Sequence, residues 1–228
     1  MALVCRSVLD VRPMNKIILL STFFCALLLS SFAAANEPET KRMRALESAF
    51  HAAHPTARLD RAPCPAPLAL ASRLKTYVAG DTPLERAQNF LDQWREVFGL
   101  EQLQLVHAKN VVMKDRVTVR FDLAYEGLPV VGRQVVATFD QDGALLRVMS
   151  DALPVTPLRK RLLTAPAAVE RAEQATGLTS RDASLVREAV QLDGRGASRV
   201  WLVELPGQTA VVDGRTGALR AVRKGVHQ

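Results

Sequence analysis

Residues 117–150 read VTVRFDLAYEGLPVVGRQVVATFDQDGALLRVMS, and this stretch has the clearest strand pattern in the chain. Apolar and polar residues alternate from Val117 to Tyr125, which is the period of a strand with one buried face and one wetter face. A second apolar strand runs from Leu128 to Phe139. The stretch therefore predicts an antiparallel meander, whose third strand is carried by Leu145, Leu146 and Val148.

Glycines and a proline mark the turns, a strand start and a bulge of this meander. Glu126-Gly127 predicts a turn, because glycine accepts the positive φ that tight turns need. Asp142-Gly143 between apolar strands is a strong hairpin signal. Pro129 lacks an N–H and suits a strand start. Gly132 inside the second strand predicts a bulge or a close backbone approach.

The same residues resemble the signature of the fungalysin/thermolysin propeptide (FTP) family. Two positions depart from it, since the family often has a His where this chain has Thr118 and a Gln where it has Leu123. The resemblance implies a non-catalytic domain that helps a metallopeptidase to fold and holds its cleft shut. The matching residues are Arg120, Phe121, Tyr125, Gly127, Pro129, Val130, Gly132, Asp142 and Gly143.

The first 35 residues are typical of a secretory signal peptide. A basic start precedes the apolar run from Ile17 to Leu29, and Ala33-Ala34-Ala35 offers a cleavage site. The run is shorter than the ~20 apolar residues of a membrane span. We therefore expect a secreted or periplasmic protein with no stable membrane span after cleavage. A signal retained as an anchor is the second interpretation.

The formal net charge of +7 is modest, and aromatic residues make up 5% of the chain. An exported chain of this kind with no recognition motif is not expected to bind nucleic acid. The basic excess indicates either an ordinary solvated surface or an acidic partner.

Helical spacing of apolar residues predicts a helix over Asn36–Ala53 and another that Asp81 or Thr82 caps and Gly99 ends. Leu68–Tyr77 and Leu103–Met113 are predicted strands.

Prolines 154 and 157 mark a linker, and a second unit follows. Thr164 is expected to cap its helix and Gly177 to end it. The apolar strand VWLVEL and the hairpin AVVDGRTGALRAV resemble a PepSY domain through Trp201, Asp213, Thr216 and Gly217, among others. The strands predicted in this unit are Ala183–Leu192, Arg199–Leu205, Thr209–Asp213 and Ala218–Val222.

The predicted fold class is α+β, with two helix-on-antiparallel-sheet (cystatin-like) units in tandem after a signal peptide. The predicted segments are a signal peptide at 1–35, an N-terminal helix and extended piece at 36–80, an FTP-like domain at 81–153, a linker at 154–163 and a PepSY-like domain at 164–228.

The chain contains no zinc-protease His-Glu-x-x-His, no nucleophile elbow and no phosphate loop, so we expect no enzyme activity, no catalytic residue and no cofactor. His51 and His54 sit three residues apart, but no third metal ligand is evident. Cys64, between Pro63 and Pro65, is a weak metal candidate, because a thiolate is a strong zinc ligand. An idle thiol or an intermolecular disulfide is the commoner role of such a cysteine.

Two functions remain open. The first is an exported, stand-alone propeptide-like protein that binds a secreted thermolysin-like metallopeptidase as inhibitor, folding chaperone or both. The second is a non-catalytic structural or regulatory envelope protein that kept the fold and lost the peptidase link. The first predicts a partner-binding surface at the turn and bulge, whose residues are Tyr125, Gly127, Pro129, Val130 and Gly132.

Overall fold

The computed structural model describes residues 40–61, 69–153, 155, 157–158, 163–179, 186–193 and 196–224. The chain divides into two compact units, Met1–Ala45 and Leu46–Gln228. Of the first unit, the described residues 40–45 are helical. The predicted signal peptide lies outside the described residues.

The described residues form three helices and ten strands, so the α+β class is confirmed. The helices are α1 (40–53), α2 (Pro83–Gln93) and α3 (Ala165–Thr176). The strands before the linker are β1 (Arg58–Arg61), β2 (Ala69–Thr76), β3 (Gln104–Met113), β4 (Arg116–Tyr125), β5 (Leu128–Asp140) and β6 (Leu145–Ser150). Those after it are β7 (Val186–Asp193), β8 (Gly196–Leu205), β9 (Gln208–Asp213) and β10 (Leu219–Lys224).

The ten strands are hydrogen-bonded into one sheet with a branch at β5. The main path runs β1-β2-β6-β5-β7-β8-β9-β10, while β4 also pairs with β5, and β3 pairs with β4. All the pairings are antiparallel except β5 with β7, which is parallel and has a single register pair, Val130 with Val190. Among the described strands, one ladder pair thus joins the two predicted meanders, which the sequence pattern does not indicate.

The largest core lies between the first meander and the helices before it. Alternate residues of β4 and β5, among them Phe121 and Val135, are fully buried, as the period of two predicts. Phe50 of α1 contacts Phe90 of α2, with ring centroids 6.4 Å apart. The same buried cluster includes Val190 of β7, so apolar packing continues from one meander into the next.

A second core forms where α3 packs on β8 and β9. Ala168 and Ala172 of the helix are fully buried against Val203 and Val212. Their small side chains let the helix approach the sheet closely. Trp201 closes one side of this core and donates its indole N–H to the carbonyl of Leu163, 3.1 Å away, just before the helix begins.

The start of α2 matches its prediction, but its end does not. Thr82 accepts from the backbone N–H of Glu85, while the Glu85 carboxylate accepts from the N–H of Thr82, which is a complete capping box. Hydrogen bonds from the backbone N–H groups of Asp81 and Thr82 to its carboxylate lower the pKa of Glu85. The α-helix ends at Gln93 rather than at Gly99. Residues 94–99 continue the chain as turns. This run ends at Gly99, whose φ is positive, and the N–H of Leu100 donates to the carbonyl of Arg95, as at the end of a helix.

The start and end of α3 lie where they were predicted. Thr164 is its N-cap residue and Gly177, with φ of 71°, ends it. The Thr164 side chain makes no capping hydrogen bond, unlike that of Thr82. Each threonine is exposed at the same position of its helix, so the two form a natural control pair.

Thr82→Ala should lower the free energy of unfolding by about 1 kcal/mol, because it removes the acceptor for the Glu85 N–H. Thr164→Ala should change it by less than about 0.5 kcal/mol, the usual range for exposed positions. Urea denaturation of both variants measures the difference, and equal losses would contradict the assignment of the capping box.

Candidate functional site

The turn between β4 and β5 has the geometry of a tight hairpin. Glu126 and Gly127 both have positive φ, 51° and 76°, between the paired residues Tyr125 and Leu128. This is the pattern of a type I′ turn, whose twist matches that of the strands it joins. The predicted turn is therefore confirmed. Partial burial and the adjacent Glu126 carboxylate raise the pKa of the Tyr125 phenol.

The predicted bulge at Gly132 is also confirmed, and it contains several residues. Asp122 pairs with Gln134 and Ala124 pairs with Pro129, so four residues of β5 stand opposite one of β4. Gly132 has φ of 67°, which glycine adopts without strain. Val130 leaves the β4 ladder here and pairs with β7 instead. The bulge is thus the place where β5 changes partners.

Polar side chains hold the bulge against the second meander. Arg133 donates to the carbonyl of Leu192 on β7, 3.2 Å away, and to that of Asp151, 3.3 Å away. The Asp151 carboxylate accepts from the backbone N–H of Gln134. Burial raises the pKa of Asp151, and the Gln134 N–H and the Arg133 charge partly offset that rise. Arg133 therefore links β5, β7 and the residue after β6.

An ion triad ties the β4–β5 turn to the second meander. Arg199 of β8 lies 2.7 Å from Glu188 of β7 and 3.5 Å from Glu126 in the turn. Glu126 is half exposed, so its bond adds little stability. Its effect is to orient the turn relative to β8.

A cleft of about 470 Å³ opens beside the bulge. Among the predicted partner-binding residues, Pro129, Val130 and Gly132 line it, whereas Tyr125 and Gly127 are not among its lining residues. Leu123 and Leu202 give it apolar walls. The remaining lining residues are Asp122, Val131, Arg133, Gln134, Arg187, Thr209 and Arg223.

The sequence pattern does not indicate the charged residues of this cleft. Arg187 and Arg223 lie on β7 and β10, more than 50 residues beyond the bulge, and only the sheet topology brings them to it. The Arg223 guanidinium lies over Gly132, with its carbon 2.9 Å from the point where a Cβ on residue 132 would be. Arg187 lies 3.7 Å from Glu204.

The Val-Asp-x-x-Thr-Gly hairpin is a structural device. Asp213 is 3% exposed, and its carboxylate accepts from the backbone N–H groups of Arg215 and Thr216 at 2.9 and 2.7 Å and from the Thr216 hydroxyl at 2.9 Å. Its other oxygen accepts from the Arg220 guanidinium. Burial alone would raise the pKa of Asp213, but these hydrogen bonds outweigh it and lower the pKa to about 2.

The histidines considered as a metal pair have different environments. His51 is exposed, whereas the His54 ring packs 5.0 Å from that of Phe50, and burial lowers its pKa. Within the described parts of the chain, no group of three or more His, Cys, Asp or Glu residues could hold a metal ion. Cys64 lies outside the described residues, so its metal role stays a prediction.

Comparison with known proteins supports the propeptide resemblance. Residues 101–152 match the model of the Fungalysin/Thermolysin Propeptide Motif, and this span runs from just before β3 to just after β6. The chain therefore carries an FTP motif in its first meander.

No curated protein matches the sequence. Among solved structures, the Bacillus megaterium YpeB C-terminal domain aligns with 81% of this chain and 96% of its own, at 11% identity and a TM-score of 0.38. Among the helices described here, none is long and apolar enough to cross a membrane.

Asp213→Asn should lower the free energy of unfolding at pH 7 by about 2 kcal/mol, the value of a carboxylate pKa lowered from its ordinary 3.8 to about 2. A lowered folded-state pKa stabilises the protein above pH ~4, and that contribution disappears as the pH falls toward 2. The gap between wild type and variant should therefore close over that interval in urea titrations. Asp142→Asn, at an exposed hairpin position, is the control and should cost little at any pH. A gap that persists undiminished at pH 2 would contradict this account.

Proposed function

We propose that this chain is a non-catalytic, propeptide-like module that binds a thermolysin-like metallopeptidase as inhibitor, folding chaperone or both. The observation that carries the proposal is the FTP motif at residues 101–152, whose turn and bulge are fully formed in the structure. Both roles follow from one property. Tight binding to the native peptidase stabilises that state by mass action, and occupation of the cleft excludes substrate.

The contact surface in this proposal is the FTP meander itself. Its turn lies beside the Gln104 end of the edge strand β3, which among the described strands pairs with β4 alone. Val106 near that end is 49% exposed, and Val112 and Met113 at the far end of β3 are 76% and 62% exposed. An unpaired edge with apolar side chains is suited to backbone pairing with an extended segment of another protein.

Other parts of the proposal rest on sequence patterns. The apolar leader supports export to a secreted or periplasmic location. We also propose that the two meanders correspond to tandem cystatin-like units, FTP-like at 81–153 and PepSY-like at 164–228. α2 contacts β3 and β4, and α3 contacts β8 and β9, which supports a helix-on-sheet plan for each.

The proposal is tested by titrating the exported chain into a secreted thermolysin-like metallopeptidase. We expect hydrolysis of a peptide substrate to fall with added chain, and the yield of active peptidase after dilution from denaturant to rise. Val112→Lys should weaken the inhibition several-fold by placing a solvated charge on the β3 edge. Tyr77→Lys adds the same charge at a residue that is 74% exposed beyond β2 and should leave it unchanged.

If the chain neither bound nor helped to refold any peptidase of a panel, the proposal would be overturned. The envelope role without a peptidase would then be the remaining interpretation. Equal effects of the two lysine variants would keep the function and exclude the β3 edge as the contact.

A further inference from the structure

The second meander ends in an edge strand of unusual charge. Among the described strands β10 pairs with β9 alone, so its outer N–H and C=O groups face away from the sheet. Five of its six residues are exposed, and Leu219 and Val222 are 37% and 43% exposed. An edge of this kind pairs readily with another extended backbone unless its side chains prevent it.

Positive charge is concentrated along this edge. The hairpin from Gln208 to Lys224 contains four basic residues and one acidic residue, Asp213. The carboxylate of Asp213 already forms an ion pair with Arg220, whose guanidinium also lies 3.5 Å from the carboxylate of Asp193. The basic residues that remain in excess are Arg215, Arg223 and Lys224, all of them exposed.

The alternation of β10 presents this charge on both faces. Arg223 pairs in register with Thr209 and reaches the cleft beside Gly132, while Lys224 points to the opposite side of the sheet. Within the cleft, Arg187 lies 3.7 Å from Glu204 and Arg133 lies near Asp151, so each faces a carboxylate. Asp122 also lines the cleft. The excess positive charge therefore belongs to the β10 edge and not to the cleft as a whole.

We infer that β10 accepts an acidic, extended segment of a partner protein as an added strand. Like charges disfavour pairing of this edge with a second copy of itself, whereas carboxylates on the two faces of an added strand would meet Arg223 on one face and Lys224 on the other. The free backbone groups call for a polypeptide rather than a small anion, and Leu219 and Val222 offer it apolar contact. The inference rests on the proposed function only for the partner's identity, which would be the peptidase.

The test uses the full chain and a fluorescently labelled, capped octapeptide of repeated Glu-Glu-Val-Val, which carries Glu on both faces when extended, and binding is measured by fluorescence anisotropy. Its counterpart has Gln in place of Glu, and two further peptides carry N-methyl groups on the amides of alternate residues, one peptide for each frame. We expect the acidic peptide to bind about tenfold more tightly than the Gln peptide, with an affinity that falls as salt is added. N-methylation removes ladder donors from one edge and should weaken binding about tenfold when it falls on the amides that face β10.

Matched variants separate local from overall charge. Arg223→Gln/Lys224→Gln should weaken binding of the acidic peptide about tenfold, while Arg116→Gln/Arg147→Gln removes the same charge from exposed positions of the first meander and should not. Gly132→Ala and Gly127→Ala both place alanine at positive φ. Only Gly132→Ala displaces the Arg223 guanidinium, since nothing lies within 4 Å of a Cβ at residue 127. Gly132→Ala alone should therefore weaken binding.

Equal binding of the Glu and Gln peptides, or equal loss in the two double variants, would overturn the inference. Binding that is insensitive to N-methylation in either frame would overturn strand addition and leave a diffuse charge contact. No peptidase takes part in this assay, so a failure here is distinguishable from a failure of the proposed function.

Discussion

The exchange of partners by β5 is the constraint on which the rest of the structure depends. This strand pairs with β4 on both sides of the bulge, with β6 from Val135 to Phe139 and with β7 at Val130. The bulge takes Val130 out of the β4 ladder. The one ladder pair between the described strands of the two meanders therefore lies at the bulge.

The polar groups around the bulge fix the angle that this exchange creates. Arg133 donates hydrogen bonds to the carbonyls of Leu192 on β7 and Asp151 after β6. Arg199 binds the carboxylates of Glu126 in the turn and Glu188 on β7. Individually, such partly exposed bonds contribute little to stability. Together they connect β5, β7 and β8, so their main effect is to fix the relative positions of these strands rather than to add stability.

Local patterns predicted most of the elements, because their causes are local. The period of two located β4 and β5, and the capping residues located the starts of α2 and α3. The end of α2 was misplaced because Gly99 ends a run of loose turns that sequence does not distinguish from helix. The charged residues of the cleft and the parallel β5–β7 pair could not be found, since they depend on contacts between distant segments. Pro129 and Gly132 stand out in the sequence for their backbone chemistry, and both line the cleft together with Val130, which matches the propeptide signature.

The single parallel pair also has a kinetic meaning. Val130 and Val190 are 60 residues apart along the chain, whereas each meander is built from neighbours in sequence. Closing so long a loop costs chain entropy, and one register pair offsets little of that cost until both meanders have formed and can pack together. Docking of the second meander onto β5 is therefore expected late in folding, once both meanders have formed.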